Sequence, residues 1–316
     1  MKALPLTLSL VFLGLVFALT LLGCGGDSAL SRTELTQKYP EKKYIQADGV
    51  ALHYEQSGQG RPIVFLHGLL SSSYLWREIT PALTYRNTVY SLDLMGFGLS
   101  EKPSGVEYSL DTYVGQLSVF LESLEIASPI LVGHGIGGRI ALTYALRHRG
   151  AVRKLILMDV LPMPLASLPV TLRLLRFPGL GELLTGDWFL KRILLDGVED
   201  KAVITKALLQ EYIAPYHDDP GARAALLKCL REFTLPTDSE QALQKRLASL
   251  EIPTLVMWGG NDEYTSLQMG RKLSDSLPQS EIAVILRSGH YIQEDRPEEV
   301  RAVIKRFINI QRKNEL

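Results

Sequence analysis

Hydrophobic and polar positions follow two alternating periods along the chain, and this alternation predicts the fold class. From about Tyr44, short continuous apolar runs separate longer stretches with helical spacing. Such runs are typical of strands buried on both faces, as in parallel sheets. They begin near Pro62, Asn87, Pro129, Val152, Pro253 and Glu281. With helical patterns between them, such as those over 110–125 and 136–147, the sequence predicts an α/β domain with a mostly parallel central sheet flanked by helices.

Two segments depart from this alternation. Around Asp48 and Gly49, a strong turn pair, two alternating runs predict a β-hairpin at the start of the domain. From about residue 161 to 235, Leu-rich helical pieces are punctuated by prolines and show no strand pattern. We predict that this region is a helical cap over the carboxyl ends of the strands, where open α/β sheets bind ligands. The domain as a whole is expected over 44–316.

The amino-terminal pattern is typical of a targeting segment. Lys2 is followed by an apolar run that ends in Leu21-Leu22-Gly23-Cys24, which resembles a bacterial lipobox. The sequence therefore predicts a lipoprotein signal peptide over 1–23, a lipidated Cys24 at the mature N-terminus and a polar tether over 24–43. A plain transmembrane anchor and ordinary secretion are the alternatives, because the run approaches the ~18–20 residues that span a bilayer.

Lipidation would place the protein on the bacterial cell envelope, attached to a membrane and facing the periplasm or the exterior. Gly25 rather than Asp follows Cys24, and by resemblance to Gram-negative sorting patterns this favours the outer membrane. The second cysteine, Cys229, lies in an apolar helical stretch and is expected to be a small core residue. With Cys24 lipidated, no intramolecular disulfide is expected.

Composition and charge exclude some classes of partner. The 316 residues include 34 basic and 34 acidic side chains and no long basic tract, so a nucleic-acid partner is not expected. The hydrophobic share of 46% is that of a globular protein with ample core. The apolar and aromatic content of the predicted cap favours a small apolar substrate or ligand.

Polar residues and glycines near the ends of the predicted strands supply the candidate chemistry. In chain order these are His67-Gly68, Asp93 with Gly96 and Gly98, the segment Gly133-His134-Gly135-Ile136-Gly137, Asp262 and His290. The central segment has the frame G-x-S-x-G of a nucleophile elbow. Over about residues 44–307, these motifs resemble the α/β-hydrolase superfamily, in the branch of small esterases, haloperoxidase-like enzymes, haloalkane dehalogenases and epoxide hydrolases.

The resemblance implies an α/β-hydrolase fold and a role for each matching position. His290 matches the general base, and Asp262 matches the acid that orients it. The backbone N–H groups of Leu69 and Ile136 match the oxyanion hole, which needs no side chain. The resemblance implies no cofactor and no metal.

Several other polar residues receive structural interpretations. We expect His67 and His134 to hydrogen-bond the turns that contain them, and Asp93 to brace the loop after its strand. Ser71, Ser72 and Ser73 are alternative nucleophiles, but we expect them to cap the helix near Tyr74. His217-Asp218-Asp219 has the residue types of a metal site, but is better interpreted as a turn between cap helices.

Gly135 is the departure from the family pattern, because it stands where a serine, aspartate or cysteine nucleophile is expected. One hypothesis is a divergent hydrolase in which His290 and Asp262 activate water against a small apolar ester-like or related neutral substrate. The alternative is an inactive pseudoenzyme that binds a small hydrophobic ligand or a protein partner. A third is that position 135 carries serine in the natural chain.

Overall fold

One eight-stranded sheet organises the protein. The computed structural model describes residues 29–160, 169–233 and 240–310. The strands are β1 (Lys43–Ala47), β2 (Val50–Ser57), β3 (Arg61–Leu66), β4 (Asn87–Leu92), β5 (Ile130–His134), β6 (Lys154–Met158), β7 (Thr254–Gly259) and β8 (Ser280–Ile285). Their order across the sheet is β1-β2-β4-β3-β5-β6-β7-β8. Strands β3 to β8 are parallel, whereas β1 and β2 pair antiparallel. The predicted α/β fold with a mostly parallel sheet is confirmed.

Burial explains why the central strands are apolar without interruption. Every residue of β5, β6 and β7 is buried, as expected of parallel strands covered on both faces. The predicted hairpin is also confirmed, because β1 and β2 join through Asp48 and Gly49. Both residues have positive φ, 52° and 81°, as a two-residue turn that matches the strand twist requires.

Helices flank the sheet and build the region between β6 and β7. They are α1 (Arg32–Lys38), α2 (Leu110–Ser123), α3 (Ile136–Arg147), α4 (Val170–Leu174), α5 (Leu180–Leu184), α6 (Asp187–Asp196), α7 (Lys206–Ile213), α8 (Pro215–Asp218), α9 (Ala222–Glu232), α10 (Glu240–Ala248), α11 (Leu267–Asp275), α12 (Ile292–Asp295) and α13 (Pro297–Asn309). The predicted helical segments over 110–125 and 136–147 correspond to α2 and α3. Helix α3 passes close to β3, because a Cβ on Gly137 would lie 2.3 Å from Leu66 O.

Helices α4 to α9 occupy the region between β6 and β7 in which the sequence predicts a cap. The described residues of this region, 169–233, form helices and turns without a strand. Residues 161–168 and 234–239, at its predicted ends, lie outside the described residues. Leu172 and Ile193 place this layer over the carboxyl ends of the strands, because both line a cavity beside Gly135.

The predicted tether over 24–43 differs from the structure in its described part. Ser31 and Glu34 form a capping box that begins α1, and Leu35 of this helix is buried. Lys38 Nζ donates to Asp218 O at 3.1 Å, which fastens α1 to the end of α8. The polar composition of this segment did not predict a helix, because Leu35 is the one residue of the helix that is buried.

The structure describes one of the two cysteines. Cys229 is fully buried in α9, and burial raises the pKa of its thiol to about 12, so it is the predicted core residue. The predicted signal peptide and Cys24 lie outside the described residues. Within the described ranges, none of the helices combines the length and apolar composition that a membrane span requires.

Candidate active site

Gly135 occupies the sharp turn where β5 passes into α3. Its backbone has φ 54° and ψ −117°, a conformation that glycine adopts at low cost and other residues adopt under strain. Gly135 N–H donates to Met158 O at 3.0 Å, which ties the turn to the end of β6. A Cβ here would lie 3.4 Å from Gly68 Cα and 3.7 Å from His290 Nε2, both ordinary contacts. The turn therefore has room for a side chain directed at His290.

His290 and Asp262 meet beside this turn from the loops after β8 and β7. Asp262 Oδ2 lies 2.9 Å from His290 Nδ1, and both side chains are buried. Because a carboxylate only accepts, Nδ1–H donates and Nε2 remains as the nitrogen nearest Gly135. This is the orientation of a general base with its supporting acid.

Four donors hold the Asp262 carboxylate. Besides His290, the backbone N–H groups of Tyr264 and Thr265 donate at 2.7 Å and 2.9 Å, and the Thr265 hydroxyl also donates. Burial alone would raise the pKa of Asp262, but the His290 charge and hydrogen bond, together with Thr265, hold it below the ordinary value. Asp262 is therefore ionised at neutral pH and stabilises the imidazolium that forms when His290 accepts a proton.

Asp159, which the sequence analysis did not single out, lies behind Asp262. It directly follows β6 with φ 44°, is fully buried, and accepts the Gly259 N–H at 2.8 Å. Burial first, and then the charge of Asp262, raises the pKa of Asp159 well above its ordinary value, which favours the protonated carboxyl. The signal that would have found it is its strand-end position, which it shares with Asp93 and Asp262.

Asp159, Asp262 and His290 also form a cluster whose potential ligand atoms lie within 4.8 Å of one another. The cluster does not suit a cation, because four donors already surround the Asp262 oxygens. The arrangement instead orients His290. The expectation that the protein needs no metal and no cofactor stays a prediction.

The backbone N–H groups of Leu69 and Ile136 lie on the two sides of the turn at Gly135. Ile136 is the first residue of α3, so its N–H has no acceptor within the helix, and Leu69 lines the same cavity as Gly135. Neither N–H donates to another described residue. Tyr291, a second residue missed by the sequence analysis, donates its hydroxyl to Leu69 O at 3.1 Å and holds this loop. Both N–H groups are available to a developing oxyanion.

His134 and His67 support the site without facing the turn cavity. A backbone carbonyl only accepts, so His134 Nε2–H donates to His290 O at 3.0 Å. His67 Nε2 accepts the Leu94 N–H at 3.0 Å, and its Nδ1–H donates to Gly68 O at 2.7 Å. Burial lowers the pKa of both rings, and the neighbouring His290 lowers that of His134 further, so both are neutral. His67 bonds the turn that contains it, as expected, whereas His134 is structural but bonds the loop of His290 and not its own turn.

Asp93 braces the loop after β4, as the sequence analysis expects. It accepts the backbone N–H groups of Ser73 at 2.6 Å and Leu99 at 2.9 Å. His53 Nδ1 lies 2.7 Å from Asp93 Oδ2, in a buried pair. Burial opposes ionisation, but His53 and the backbone donors hold the pKa of Asp93 below its ordinary value. Asp93 is therefore a structural carboxylate.

The other candidates also have local partners. Ser72 accepts the Tyr74 N–H and begins the short 3-10 helix Ser73–Trp76, and the Ser71 hydroxyl donates to a backbone carbonyl. None of the three serines hydrogen-bonds His290 in the described part of the chain. His217 Nε2 pairs with Asp187 at 2.9 Å and not with a neighbouring aspartate. The predicted turn is only partly correct, because His217 and Asp218 lie in the short helix α8 and Asp219 follows it.

The cavity beside Gly135 and His290 is small and closed by the cap. Its volume is about 20 Å³. Its other lining residues are apolar or aromatic: Leu69, Leu70, Leu172, Ile193, Tyr264 and Tyr291. A larger cavity of about 550 Å³ lies elsewhere, between α1, β2 and the turn after α8, and shares no lining residue with the first. The chemistry described above belongs to the smaller one.

Comparison with known proteins finds a matching family model and several relatives. The model, described as "Alpha/beta hydrolase family", matches residues 63–303. The chain is 29% identical over 267 residues to the uncharacterized hydrolase YugF of Bacillus subtilis, covering 83% of this chain and 95% of the relative. It is 29% identical over 282 residues to a cis-3-alkyl-4-alkyloxetan-2-one decarboxylase of Shewanella oneidensis, covering 85% and 88%. A solved epoxide hydrolase mutant from Bacillus megaterium superposes with a TM-score of 0.73 at 26% identity, covering 85% and 100%.

Replacing Asp159 with Asn should stabilise the folded protein increasingly as pH rises. The unfolded Asp159 ionises above about pH 4, whereas burial keeps the folded carboxyl protonated. Above that pH the parent loses up to about 1.4 kcal/mol of stability per pH unit until the raised folded pKa is reached. The Asn variant does not titrate and still accepts the Gly259 N–H. Urea unfolding between about pH 4 and pH 8 measures the difference.

The control for this prediction is Asp275→Asn, which removes an exposed aspartate of α11. Its stability relative to the parent should not change with pH. Parallel pH profiles for the parent and Asp159→Asn would contradict a protonated Asp159.

Proposed function

The chain belongs to the alpha/beta hydrolase family, and on that premise we propose that it is a lipid-anchored hydrolase that uses water in place of a serine nucleophile. Its substrates in this proposal are small, largely apolar esters or related neutral compounds. His290 is the general base, Asp262 orients it, and the N–H groups of Leu69 and Ile136 bind the carbonyl oxygen. The observation that carries the proposal is the geometry at Gly135, where a Cβ would lie 3.7 Å from His290 Nε2.

The space beside Gly135 suits one water molecule. A water needs roughly 10–15 Å³ of such volume and two to four polar partners. The cavity of about 20 Å³ provides that volume, and His290 and Leu69 line it, so that Nε2 and, before substrate binds, the Leu69 N–H can serve as partners. These features support a water at the place where a serine hydroxyl acts in the family.

The proposed reaction is a single displacement. His290 Nε2 accepts a proton from the water as the water oxygen bonds to the carbonyl carbon, and the carbonyl π electrons move onto the oxygen at the two N–H groups. The tetrahedral intermediate then expels the alkoxide, which takes the proton from the His290 imidazolium. The products are a carboxylic acid and an alcohol, and no covalent enzyme intermediate forms.

The lining of the cavity supports an apolar substrate. Leu172, Ile193 and Tyr264 close it from above, and none of them carries a charge. The named relatives include a decarboxylase as well as hydrolases, so membership of the family alone does not select the substrate. Since the cavity of about 20 Å³ is smaller than an ester, the proposed function includes a movement of the cap when substrate enters.

A second candidate function is binding without catalysis. It is favoured by the lack of a side chain at Gly135 and by the closed cavity beside it. The cavity of about 550 Å³ near α1 also has the volume of a small-molecule site. This function predicts no turnover that depends on His290.

Purified protein should hydrolyse small p-nitrophenyl esters slowly, without a burst of nitrophenol. His290→Gln should lower the rate above buffer by about 10²-fold or more, because it removes the general base. His217→Gln, at an exposed position in the cap, is the matched control and should leave the rate unchanged. Turnover that is absent, or that persists in His290→Gln, would favour the binding function.

Gly135→Ser should create serine-esterase activity that requires His290. The new hydroxyl would lie within reach of His290 Nε2, so the variant should show a nitrophenol burst and react with a fluorophosphonate probe at position 135. The parent should not be labelled there. The variant should also be less stable by about 1–3 kcal/mol, because a side chain strains this backbone conformation.

Gly150→Ser is the control for the strain, because Gly150 also has positive φ, 79°, and open space around its Cβ position. It should lose stability and gain no activity. Labelling of the parent at Ser71, Ser72 or Ser73 that disappears in His290→Gln would show a relocated nucleophile and contradict the water mechanism.

The proposed lipid anchor rests on the lipobox-like end of the apolar run at Cys24. We expect mass spectrometry of the membrane fraction to find acyl chains on an N-terminal Cys24. Cys24→Ala should leave an uncleaved, non-lipidated precursor, because the acceptor thiol is lost. The matched control is Cys229→Ala, which removes a buried thiol and should be processed normally. A mature chain that begins elsewhere and stays on the membrane without acyl mass would contradict the anchor.

A further inference from the structure

We infer that the cap docks on a lipid bilayer through an exposed apolar face, which adds a second membrane contact to the proposed lipid anchor. Nine large hydrophobic side chains are exposed among the described residues, and six of them lie between residues 170 and 188. These six define the cap face: Val170, Leu174, Phe177, Leu180, Leu183 and Trp188. The orientation of the cap on the bilayer rests on the proposed anchor, whereas the exposed apolar face is a property of the cap alone.

The cap face has the side chains of an interfacial surface. Leu183 is 78% exposed, Trp188 65% and Phe177 59%. Soluble proteins seldom expose so many large apolar side chains in one short stretch, and such patches mark interaction sites. Tryptophan, phenylalanine and leucine are the residues that interfacial helices bury about 5–10 Å into the boundary between headgroups and acyl chains.

Contacts with α9 bring the parts of this face together. Arg231 Nε donates to Arg176 O at 3.2 Å, in the turn after α4. The guanidinium of Arg231 also pairs with Glu182 of α5 at 2.9 Å. Phe177 and Leu183 are thus held on the same side of α9, next to the residues that Arg231 contacts.

The charges around the cap face favour a bilayer that contains anionic lipid. Its acidic neighbours Glu182 and Asp187 are neutralised within the cap, by Arg231 and by Arg223. By contrast, the described residues supply no acidic partner to Arg173, Arg176 or Lys191. Basic side chains beside an apolar face are attracted to anionic headgroups, whereas a protein partner would not by itself require this combination.

The amino-terminal chain enters the structure close to this face. A Cβ on Gly221 would lie 2.3 Å from Ala29 Cβ, so the first described residue packs against the start of α9. Helix α9 has 11 residues and is therefore about 16 Å long. Near its start Arg223 pairs with Asp187, next to Trp188, and near its end Arg231 contacts the turn before Phe177. The chain from Cys24 to Ala29 can reach about 17 Å. A lipid on Cys24 and the cap face can therefore contact one bilayer together.

Tryptophan fluorescence tests the inference directly, because Trp188 is the exposed tryptophan whereas Trp76 and Trp258 are buried in the core. The full chain is mixed with phosphatidylethanolamine–phosphatidylglycerol vesicles whose acyl chains carry bromine, a quencher of indole emission. We expect a saturable loss of the part of the emission that comes from Trp188. The difference between the spectra of the parent and Trp188→Phe gives that part. Quenching that is absent, or equal in Trp188→Phe, would overturn the inference.

Variants and lipid composition separate this contact from the anchor. The double variant Phe177→Ser/Leu183→Ser should lose quenching, whereas Tyr85→Ser/Leu286→Ser, which removes exposed apolar side chains elsewhere, should keep it. Replacing phosphatidylglycerol with phosphatidylcholine should weaken binding. Quenching without acyl mass on Cys24 would uphold the cap face and overturn the anchor. An acylated chain with unquenched Trp188 would overturn the cap face alone.

Discussion

The close approach of backbone segments around the turn at Gly135 is the constraint on which the rest of the structure depends. A Cβ on Gly133 would lie 2.4 Å from Gly137 O, and a Cβ on Gly68 would lie 2.5 Å from His134 Nδ1. At these distances β5, α3 and the loop after β3 leave no room for side chains, so their backbones define one rigid corner. The N–H groups of Leu69 and Ile136 belong to this corner. Their position is therefore set by backbone packing and does not depend on a side chain at position 135.

This constraint explains how a nucleophile can be absent while the surrounding site persists. The Asp262 carboxylate is ionised in the interior, which costs free energy that its four donors offset. Burial, and then repulsion from the Asp262 carboxylate, raises the pKa of Asp159 beside it. Binding of an apolar ligand requires neither arrangement. A general base does require an ionised Asp262, since the imidazolium of His290 needs a fixed negative charge next to it.

The sequence predicted those parts of the fold and site that local patterns encode. Buried strands, the hairpin at Asp48 and Gly49, and α2 and α3 follow from periodicity and turn chemistry. The resemblance to α/β-hydrolases predicted that His290, Asp262 and Gly135 belong to one site, and they do meet near the ends of the parallel strands. Helix α1 was missed because its contact with the domain depends mainly on Leu35. Asp159 was missed because its protonation depends on a neighbour distant in sequence.

The contacts of the cap with the site, together with the exposed cap face, connect the proposed bilayer contact to the opening of the small cavity. Tyr291 N–H donates to Gly197 O at 2.9 Å, so the end of α6 is fastened to the loop that carries His290. Among the described residues helix α4 has no comparable backbone hydrogen bond to the sheet, so we expect it to be the element that moves aside when substrate enters. Moving it exposes the inner side chain Leu172, at a cost of about 25 cal/mol per Å² of apolar surface in water. If Leu172 is exposed to lipid acyl chains and not to water, most of this free-energy cost is avoided. A cap face on the membrane would therefore lower the free energy of opening at the place where an apolar substrate is most concentrated.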